Sequence, residues 1–208
     1  MLTLYYARDT ISLATHILLE EVGATYSTVR VDFGKTEQRS PEYLKINPKG
    51  RMPALVTDRG ILTETPAMLV FVAQSSGRPD LALMDDPYAF AQVQAINAYL
   101  CSSLHINHAH RMRGPRWVDA KDAAAIAAMQ RHVPVSVGAN YELIERDMLA
   151  GPWVMGEHYT ICDPYLFTLA QWLEQDGVDP KRIPKVMDHR RRIGERATTK
   201  KAIAAELA

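Results

Sequence analysis

The sequence predicts an α/β domain followed by an all-helical domain. Apolar residues switch between strand and helix spacing within the first eighty residues and recur only at helix spacing in the remainder. The stretch Ser75-Ser76-Gly77-Arg78-Pro79-Asp80 concentrates residues that break regular structure, and Asp85-Asp86-Pro87 is typical of a helix start. We therefore expect a first domain over residues 1–76, a linker over 77–86 and a helical domain over 87–208.

The elements of the first domain follow from its apolar spacing and its turn residues. Short alternating runs predict strands, and apolar residues three or four apart predict helices. In chain order we expect a strand at Leu2–Tyr6, a helix at Ser12–Val22, a strand at Tyr26–Val31, a short helix at Pro41–Leu44, a hairpin of Ala54–Thr57 with Gly60–Leu62, and a helix at Pro66–Gln74. This βαβ-α-ββα order predicts a thioredoxin-like fold, a small mixed sheet with helices on both faces.

The second domain is predicted to be a bundle of helices. One long helix is expected where apolar residues recur three or four apart, at Phe90, Val93, Ile96, Leu100 and Leu104. A second pattern runs from about Val118 to Leu149 and contains Pro134, where we expect a kink because proline removes a backbone donor. The segment from Asp163 to Leu207 carries three shorter helical patterns separated by glycine and proline.

Composition and charge exclude several classes of protein. Twenty-four basic residues balance twenty-four acidic ones, so the net charge favours neither nucleic acid nor an anionic membrane surface. The chain starts without a signal-peptide pattern, and no apolar stretch reaches the ~18 residues of a membrane span. Cys101 and Cys162 lack redox or zinc spacing, which is typical of free thiols in a reducing compartment. We therefore expect a cytoplasmic protein without nucleic-acid or membrane partners.

The segment Arg51-Met52-Pro53-Ala54-Leu55 places a proline at the entrance of a predicted strand. At the start of the third strand of a thioredoxin-like domain, a proline can take the cis form, which turns the preceding N–H and C=O away from the sheet. Met52 would then offer these groups to the backbone of a bound peptide. The alternative is an ordinary trans proline before a strand.

Glu64 and Thr65 directly precede Pro66, so we expect Thr65 to be the N-cap of the following helix. The free N–H groups of that helix end would face the same cleft as Met52 and attract a carboxylate, while Glu64 would meet an ammonium group. Simple helix capping, the alternative, explains Thr65 but leaves Glu64 without a role. Together these residues predict a site for a small peptide with a free carboxylate and a free amine.

Several of these features together resemble the cytosolic glutathione transferases, in particular the beta-like bacterial type, over nearly the whole chain. The resemblance is carried by Asn47–Leu55, the pair Glu64-Thr65, the order of the domains and Thr160-Ile161-Cys162-Asp163. It implies a cis Pro53, a Met52 that pairs with the cysteinyl backbone of glutathione, and a Glu64-Thr65 pair that holds the γ-glutamyl end. It also implies glutathione as co-substrate, a homodimer and a role in detoxification.

Thr160 and Asp163 stand at the start of an apolar helical pattern. A hydroxyl followed three residues later by a carboxylate is typical of a helix N-terminus. The family resemblance gives this box the same structural role, so neither residue is placed in the functional site.

The turn before the first helix departs from the beta-like pattern, which resembles Tyr-Tyr-x-Pro-Gly-x-Cys-Ser-Leu. Residues 5–13 read Tyr-Tyr-Ala-Arg-Asp-Thr-Ile-Ser-Leu, so Ile11 takes the cysteine position and a mixed disulfide with glutathione cannot form there. A hydroxyl must then stabilise the thiolate. We expect Ser12, at the start of the first helix, to do so, with Thr10 as its rival and Tyr6 assigned to the strand core. The alternative role of Ser12 is a helix N-cap.

The other candidate residues are basic or carry an imidazole. By the resemblance, His105 faces the glutathione thiol from the second domain; otherwise it is a core or solvated histidine. His105, His108 and His110 lie close along one helix, but no cysteine or carboxylate completes a metal site, so we expect no metal. Lys35 and Arg51 flank the expected glycyl end of glutathione, where they would bind its carboxylate or stay solvated.

The predicted function is that of a glutathione transferase, in which the thiolate attacks an activated carbon of a small hydrophobic electrophile. Leu104–Met112 and Trp117 would line the electrophile pocket, and Arg111, Arg113 and Arg116 would form a solvated loop over the cleft. Two alternatives remain open. One is a non-catalytic ligand-binding or protein-interaction module of the same fold, favoured by Ile11, and the other is a glutathione-dependent isomerase, ether-cleaving enzyme or dehalogenase.

Overall fold

The computed structural model describes residues 1–207 and confirms the thioredoxin-like fold predicted for the first part of the chain. The strands of this part are β1 (Leu2–Tyr6), β2 (Tyr26–Arg30), β3 (Ala54–Thr57) and β4 (Gly60–Thr63), and its helices are α1 (Ser12–Glu21), α2 (Pro41–Ile46) and α3 (Thr65–Ser75). The strand order is β2-β1-β3-β4, with β1 and β2 parallel and the other two pairs antiparallel. Ala208, the last residue of the predicted helical domain, lies outside the described residues.

The two faces of the sheet are covered by different helices because alternate residues of a strand point to opposite sides. Leu4 of β1 and Leu55 of β3 are direct partners, are fully buried, and share a core with residues of α1 and α3. Tyr5 points the other way and packs against Tyr43 of α2, with ring centroids 6.0 Å apart. Because Tyr5 is the register partner of Ala54, the end of β1 and the start of β3 lie side by side.

In the rest of the described chain, the regular secondary structure is helical, apart from isolated β-bridges between residues 153 and 158. Its helices are α4 (Pro87–Tyr99), α5 (His105–Arg113), α6 (Ala123–Leu143), α7 (Cys162–Ala170), α8 (Pro184–Glu195) and α9 (Ala197–Leu207). A π-helical turn, Leu100–Leu104, joins α4 to α5, so the long helix predicted there is continuous but locally widened. Pro134 lies inside α6, which continues to Leu143. No described helix is long and apolar enough to cross a membrane.

Helix α1 connects the two parts of the molecule because it packs on α3 and also on α7 and α9. His16, buried on α1, places its Nδ1 atom 3.1 Å from Oε1 of Glu206 on α9. At the other end of α1, Glu21 accepts hydrogen bonds from Arg196 and Thr198. The start of α1 is thereby fixed between the sheet and the helical part.

The box predicted at Thr160 closes the start of α7. Thr160 Oγ1 accepts a hydrogen bond from the N–H of Cys162 at 3.4 Å, and the Asp163 carboxylate accepts one from the N–H of Thr160 at 2.6 Å. Both side chains are fully buried. The residue at the N-cap position of α7 is Ile161, whose side chain makes no capping bond, so the predicted N-cap at Thr160 is displaced by one residue, and Thr160 and Asp163 instead hold the turn before the helix.

Candidate functional site

The peptide bond between Met52 and Pro53 is cis, and the turn before it is tightly held. The C=O of Arg51 accepts two hydrogen bonds, from the Tyr43 hydroxyl and from Nδ2 of Asn47, each at 2.7 Å. The backbone N–H and C=O of Met52 have no hydrogen-bond partner within residues 1–207. The sequence therefore builds a rigid turn that presents one unpaired donor and one unpaired acceptor.

Gly50 is required by the same turn. Its φ of +59° lies in the left-handed region, and a Cβ at this position would come within 2.9 Å of Arg39 Nη1 and of the Gln38 carbonyl oxygen. The segment that carries Arg39 therefore packs directly on the turn that carries Arg51.

At the start of α3, the structure corrects the prediction for Thr65. Helix α3 begins at Thr65 rather than at Pro66, and the residue before the helix is Glu64, with φ 71° and ψ 116°. The chain leaves the helical conformation at Glu64, so Glu64 occupies the N-cap position and Thr65 is the first, buried residue of the helix. The exposed carboxylate of Glu64 accepts a hydrogen bond from Lys49 Nζ at 2.6 Å.

The two candidate hydroxyls lie together in the turn between β1 and α1, with Thr10 Oγ1 and Ser12 Oγ 2.8 Å apart. Ser12 is fully buried; its Oγ donates to the C=O of Ala7 at 3.0 Å and accepts from the N–H of Ala7 at 3.3 Å. Thr10 is only partly buried, and its hydroxyl also donates to the C=O of Ala7, at 2.8 Å. The hydroxyl that solvent or a ligand can reach is therefore that of Thr10, whereas the sequence favoured Ser12.

The first helix begins at Ser12 as predicted, but Ser12 does not have the alternative N-cap role. Helix α1 begins at Ser12, and the preceding Ile11 is buried, with only 5% of its surface exposed, and makes no side-chain capping bond. Ser12 is therefore not an N-cap, because it lies inside the first turn and bonds back to Ala7. Asp9, in the same turn, has a φ of +56°, which directs the chain from the strand into the helix.

A cavity of about 120 Å³ includes Thr10. It is lined by the β1–α1 turn, the start of α1, the end of α7 with the segment that follows it, and the end of α9, at Arg8, Asp9, Thr10, Leu13, Thr168, Gln171, Trp172, Gln175, Ile203, Glu206 and Leu207. None of these residues belongs to the predicted pocket Leu104–Met112 with Trp117, and both Met112 and Trp117 are exposed. The cavity beside Thr10 thus lies between the β1–α1 turn, the segment around the end of α7 and the end of α9, and it mixes apolar with charged side chains.

His105 lies at the first position of α5 and is half-buried beside Trp172, with ring centroids 5.7 Å apart. Burial, and then the positive charges of His108, Arg116 and Arg51, lower the pKa of His105 to about 4. Its imidazole is therefore neutral near pH 7 and can donate or accept a hydrogen bond. Within the described residues, no group of three or more side chains is arranged to hold a metal ion.

The neighbouring His108 packs on Trp172 and pairs with Asp176. Its ring stacks on Trp172, with centroids 4.2 Å apart, and its Nδ1 atom lies 2.7 Å from Oδ2 of the buried Asp176. Arg111 Nε lies 3.0 Å from the other oxygen of Asp176. Arg111 is therefore tied to the helical core rather than lying in a solvated loop.

Lys35 and Arg51, the basic residues predicted at the glycyl end of glutathione, have different surroundings. Lys35 is exposed and lies 3.7 Å from Asp32, so the structure shows no link between Lys35 and the Met52 turn. Arg51 is exposed. Its positive charge acts on Arg116, whose pKa is lowered by the burial of Arg116 itself and by the charges of Arg51, Arg113 and Arg39. Arginines of the first part and of the α5 region therefore face each other.

For three residues of this site, Tyr43, Asn47 and Lys49, the sequence predicts no functional role. Tyr43 and Asn47 hold the Arg51 carbonyl, and Lys49 binds Glu64. Asn47 and Lys49 both lie in the Asn-Pro-Lys-Gly turn that directly precedes Arg51. Their side chains were not assigned because turn chemistry alone explains their residue types.

Comparison with known proteins places this geometry in a family. Residues 1–74 match the family described as glutathione S-transferase, N-terminal domain. Glutathione S-transferase GstA of Escherichia coli O157:H7 is 27% identical over 206 residues, with 98% of each chain covered. The disulfide-bond oxidoreductase YfcG of Escherichia coli K12 is 27% identical over 217 residues, which cover 98% of this chain and 94% of YfcG.

A solved structure gives the more specific match. The crystal structure of a glutathione transferase homologue from Sulfitobacter, with bound glutathione, has a TM-score of 0.94 to this chain. The two sequences are 42% identical, and the match covers 100% of this chain and 99% of the other. The chain therefore belongs to the cytosolic glutathione S-transferase family.

Proposed function

We propose that this chain is a glutathione transferase in which the hydroxyl of Thr10 stabilises the thiolate of bound glutathione. The observation that carries this proposal is the difference between two neighbouring hydroxyls. Ser12 is buried and engaged with both backbone groups of Ala7, whereas Thr10 is partly exposed and lines a cavity. To donate to the thiolate, the Thr10 hydroxyl turns its one proton away from the Ala7 carbonyl, which keeps its hydrogen bond from Ser12 Oγ.

The glutathione would lie across the Met52 turn and the start of α3. The unpaired N–H and C=O of Met52, beside the cis Pro53, support pairing with the cysteinyl backbone. Glu64 and Thr65 stand where the first N–H groups of α3 are free, which supports binding of the γ-glutamyl end. Arg51, with Lys35 farther out, is proposed for the glycyl carboxylate. The Sulfitobacter relative with bound glutathione supports this choice of ligand.

The energetic requirement on Thr10 is modest. A free thiol has a pKa of ~8.5, and lowering it by two units requires about 2.7 kcal/mol of preferential thiolate stabilisation. A hydrogen bond to a charged group contributes about 1.5–3 kcal/mol, and a helix N-terminus about 0.3–1 kcal/mol. The Thr10 hydroxyl and the N-terminus of α1 together therefore supply most of this stabilisation of the thiolate. The neutral His105 is a further candidate donor.

The reaction proposed is nucleophilic displacement. The thiol proton leaves to solvent, the sulfur electron pair forms a bond to an activated carbon of the second substrate, and the leaving group departs with its own electron pair. The proposal also includes a first domain over residues 1–76 joined by 77–86 to the helical domain, and a homodimer in which the first domain rests on the partner's long helices.

A second candidate is a disulfide-bond oxidoreductase, since YfcG carries that name and is similar over most of both chains. Ile11 removes the protein thiol at the family's cysteine position, so the thiols of such a reaction would have to come from glutathione. A non-catalytic ligand-binding module is the third candidate. It would bind glutathione without lowering the pKa of its thiol.

Titration calorimetry and ultraviolet spectroscopy test these candidates in sequence. Wild-type protein should bind glutathione and show the thiolate absorption band at neutral pH, and should conjugate glutathione to chlorodinitrobenzene. Thr10→Val should keep binding but lose most of the band, whereas Thr10→Ser should retain it. Binding without a thiolate band leaves the ligand-binding module, and reduction of a model disulfide without conjugation favours the oxidoreductase. No binding of glutathione rejects all three.

A further inference from the structure

Four arginines, Arg39, Arg51, Arg113 and Arg116, form what we call the cleft arginines. Within residues 1–207, none of their guanidinium groups lies within salt-bridge distance of a carboxylate. Of the twelve other arginines, eight make ion pairs, at Arg78, Arg111, Arg146, Arg182, Arg190, Arg191, Arg192 and Arg196, and four make none among the described residues, at Arg8, Arg30, Arg59 and Arg131. What distinguishes the cleft arginines is that they lie near one another, in a protein whose charges balance overall.

The cleft arginines come from both parts of the molecule. Arg39 packs against Gly50, which directly precedes Arg51 at the Met52 turn. Arg113 ends α5, and its guanidinium lies over the ring of Phe33 at 5.7 Å, so it reaches across to the first part. Arg116 ends the short turn Gly114–Arg116 that follows α5. The charges of Arg51 and Arg116 also act on the imidazole of His105 and lower its pKa.

Three acidic groups close in sequence to Arg39, Arg51 or the ring under Arg113 have other partners. Glu64 is bound by Lys49, Glu37 accepts a hydrogen bond from the N–H of Asp32 at 2.7 Å, and Asp32 accepts one from the N–H of Gly34 at 2.8 Å. The mutual repulsion of the arginines shows in Arg116, whose pKa is lowered by burial and by three of its neighbours. An anion placed among them would relieve this repulsion and gain charge-assisted hydrogen bonds.

Glutathione alone does not account for four arginines. Its glycyl carboxylate is one anionic group, and its γ-glutamyl end is assigned to Glu64, Thr65 and the start of α3. Arg51, beside Met52, suffices for the glycyl carboxylate. The guanidinium groups of Arg113 and Arg116, which belong to the helical part, are then left for the other ligand of the cleft.

We propose that the second substrate of this enzyme is anionic and carries at least one carboxylate, which Arg113 and Arg116 hold while the carbon under attack lies at the glutathione sulfur. This inference rests on the proposed function. It replaces the small hydrophobic electrophile expected from the sequence with a substrate that combines an apolar reactive part and a carboxylate. Paired guanidinium donors suit a carboxylate because their planar fork matches its two oxygens.

The test uses chlorodinitrobenzoate and its methyl ester as matched electrophiles that differ by one charge. Each kcat/KM is divided by the uncatalysed rate with glutathione, which removes the intrinsic difference in reactivity. The wild-type acid-to-ester ratio should exceed one and should fall as salt is raised, because salt screens exposed charges. Arg113→Gln and Arg116→Gln should each lower this ratio by about threefold to tenfold. Arg59→Gln, which removes an exposed arginine in the β3–β4 turn, should leave it unchanged.

A second measurement separates this inference from the proposed function. The conjugates of glutathione with the acid and with the ester are titrated into the protein by calorimetry, which needs no turnover. Tighter binding of the acid conjugate, lost in the Arg113→Gln, Arg116→Gln double variant, supports the anionic substrate even if neither electrophile is turned over. Equal ratios for acid and ester in both measurements overturn the inference. A double variant that weakens glutathione binding but not the acid preference assigns the cleft arginines to glutathione and also overturns it.

Discussion

Nε2 of His189 lies 2.9 Å from Oδ1 of Asp163, and both side chains are closed to solvent. The same carboxylate accepts hydrogen bonds from the N–H of Val154 at 2.8 Å and from the N–H of Thr160 at 2.6 Å. Asp163 therefore joins the start of α7 to α8 and to the loop before α7. A residue predicted to cap one helix in fact connects three segments of the helical part.

Replacement of Asp163 should destabilise the protein strongly. Asp163→Ala leaves His189 and two buried N–H groups without their partner, and breaking a buried pair in this way typically costs about 3–5 kcal/mol. Urea denaturation gives the free energy of unfolding. The control is Asp147→Ala, whose carboxylate pairs with the exposed Arg146 and whose loss should leave the urea midpoint nearly unchanged. A cost below about 1 kcal/mol for Asp163→Ala would contradict the role assigned to it.

Thr10 is expected to determine the pKa of the glutathione thiol. Thr10→Val keeps the shape of the side chain but removes the donor, so kcat/KM should fall by about tenfold to a hundredfold as one hydrogen bond to the thiolate is lost. The midpoint of the thiolate band against pH should move upward in the same variant. Thr10→Ser should restore both values. An unchanged midpoint in Thr10→Val would transfer the role to another donor.

Ser12 should respond differently from Thr10. Ser12→Ala removes the acceptor of the buried Ala7 N–H, and an unsatisfied buried group costs about 1–3 kcal/mol of stability. Because Thr10 keeps its own hydroxyl, the thiolate band of bound glutathione should remain, with a smaller shift than in Thr10→Val. Thermal unfolding and the band midpoint are measured on the same samples. Loss of the band with unchanged stability would identify Ser12 as the direct donor.

The parts of the site that the sequence revealed are those encoded by a few consecutive residues. The proline of the Met52-Pro53 bond, the glycine at position 50 and the Glu64-Thr65 pair each answer a local requirement of the backbone. The order of strands and helices was predictable for the same reason, since periodicity and breakers act over short distances. Even there, the helix start was displaced by one residue, because the choice between Glu64 and Thr65 as N-cap depends on φ at Glu64.

The parts that the sequence did not reveal depend on distant residues or on the direction of a side chain. Asp163 and His189 are 26 positions apart, and Arg113 and Phe33 come from different parts of the chain. The spacing of Thr10 and Ser12 does not tell which hydroxyl faces inward; the turn at Asp9 and the backbone groups of Ala7 decide that. No local pattern encodes such contacts, so spacing alone favoured Ser12, whereas the structure buries Ser12 and leaves Thr10 partly exposed.

The pKa of His105 predicts how stability changes with pH. Its folded-state pKa of about 4 lies below the ordinary value of 6.5, so between these values the unfolded chain binds more protons than the folded one. His105 therefore does not reduce the free energy of unfolding above pH 6.5, but the free energy of unfolding falls as the pH drops from 6.5 toward 4. The free energy of unfolding of His105→Gln should fall less steeply than that of the wild type over this window. His158→Gln, which removes an exposed histidine, is the control, and identical slopes for His105→Gln and wild type would contradict the prediction.

Asn47 should link the stability of the Met52 turn to glutathione binding. Its side chain is buried, donates to the Arg51 carbonyl at 2.7 Å and accepts from the N–H of Lys49 at 3.2 Å. Asn47→Ala should lower the free energy of unfolding by about 1–3 kcal/mol and raise the Kd of glutathione by about threefold to tenfold, because the Met52 backbone groups lose their fixed position.

Tyr43→Phe provides the graded comparison for Asn47→Ala, because it removes only one of the two donors to the Arg51 carbonyl and keeps the ring packed against Tyr5. Its Kd for glutathione should lie between those of the wild type and Asn47→Ala. Calorimetry gives the Kd, and urea denaturation of the same preparations gives the stability. If Asn47→Ala loses stability while the Kd of glutathione stays at the wild-type value, the turn supports the fold but does not position the ligand, and glutathione must then bind without pairing to Met52.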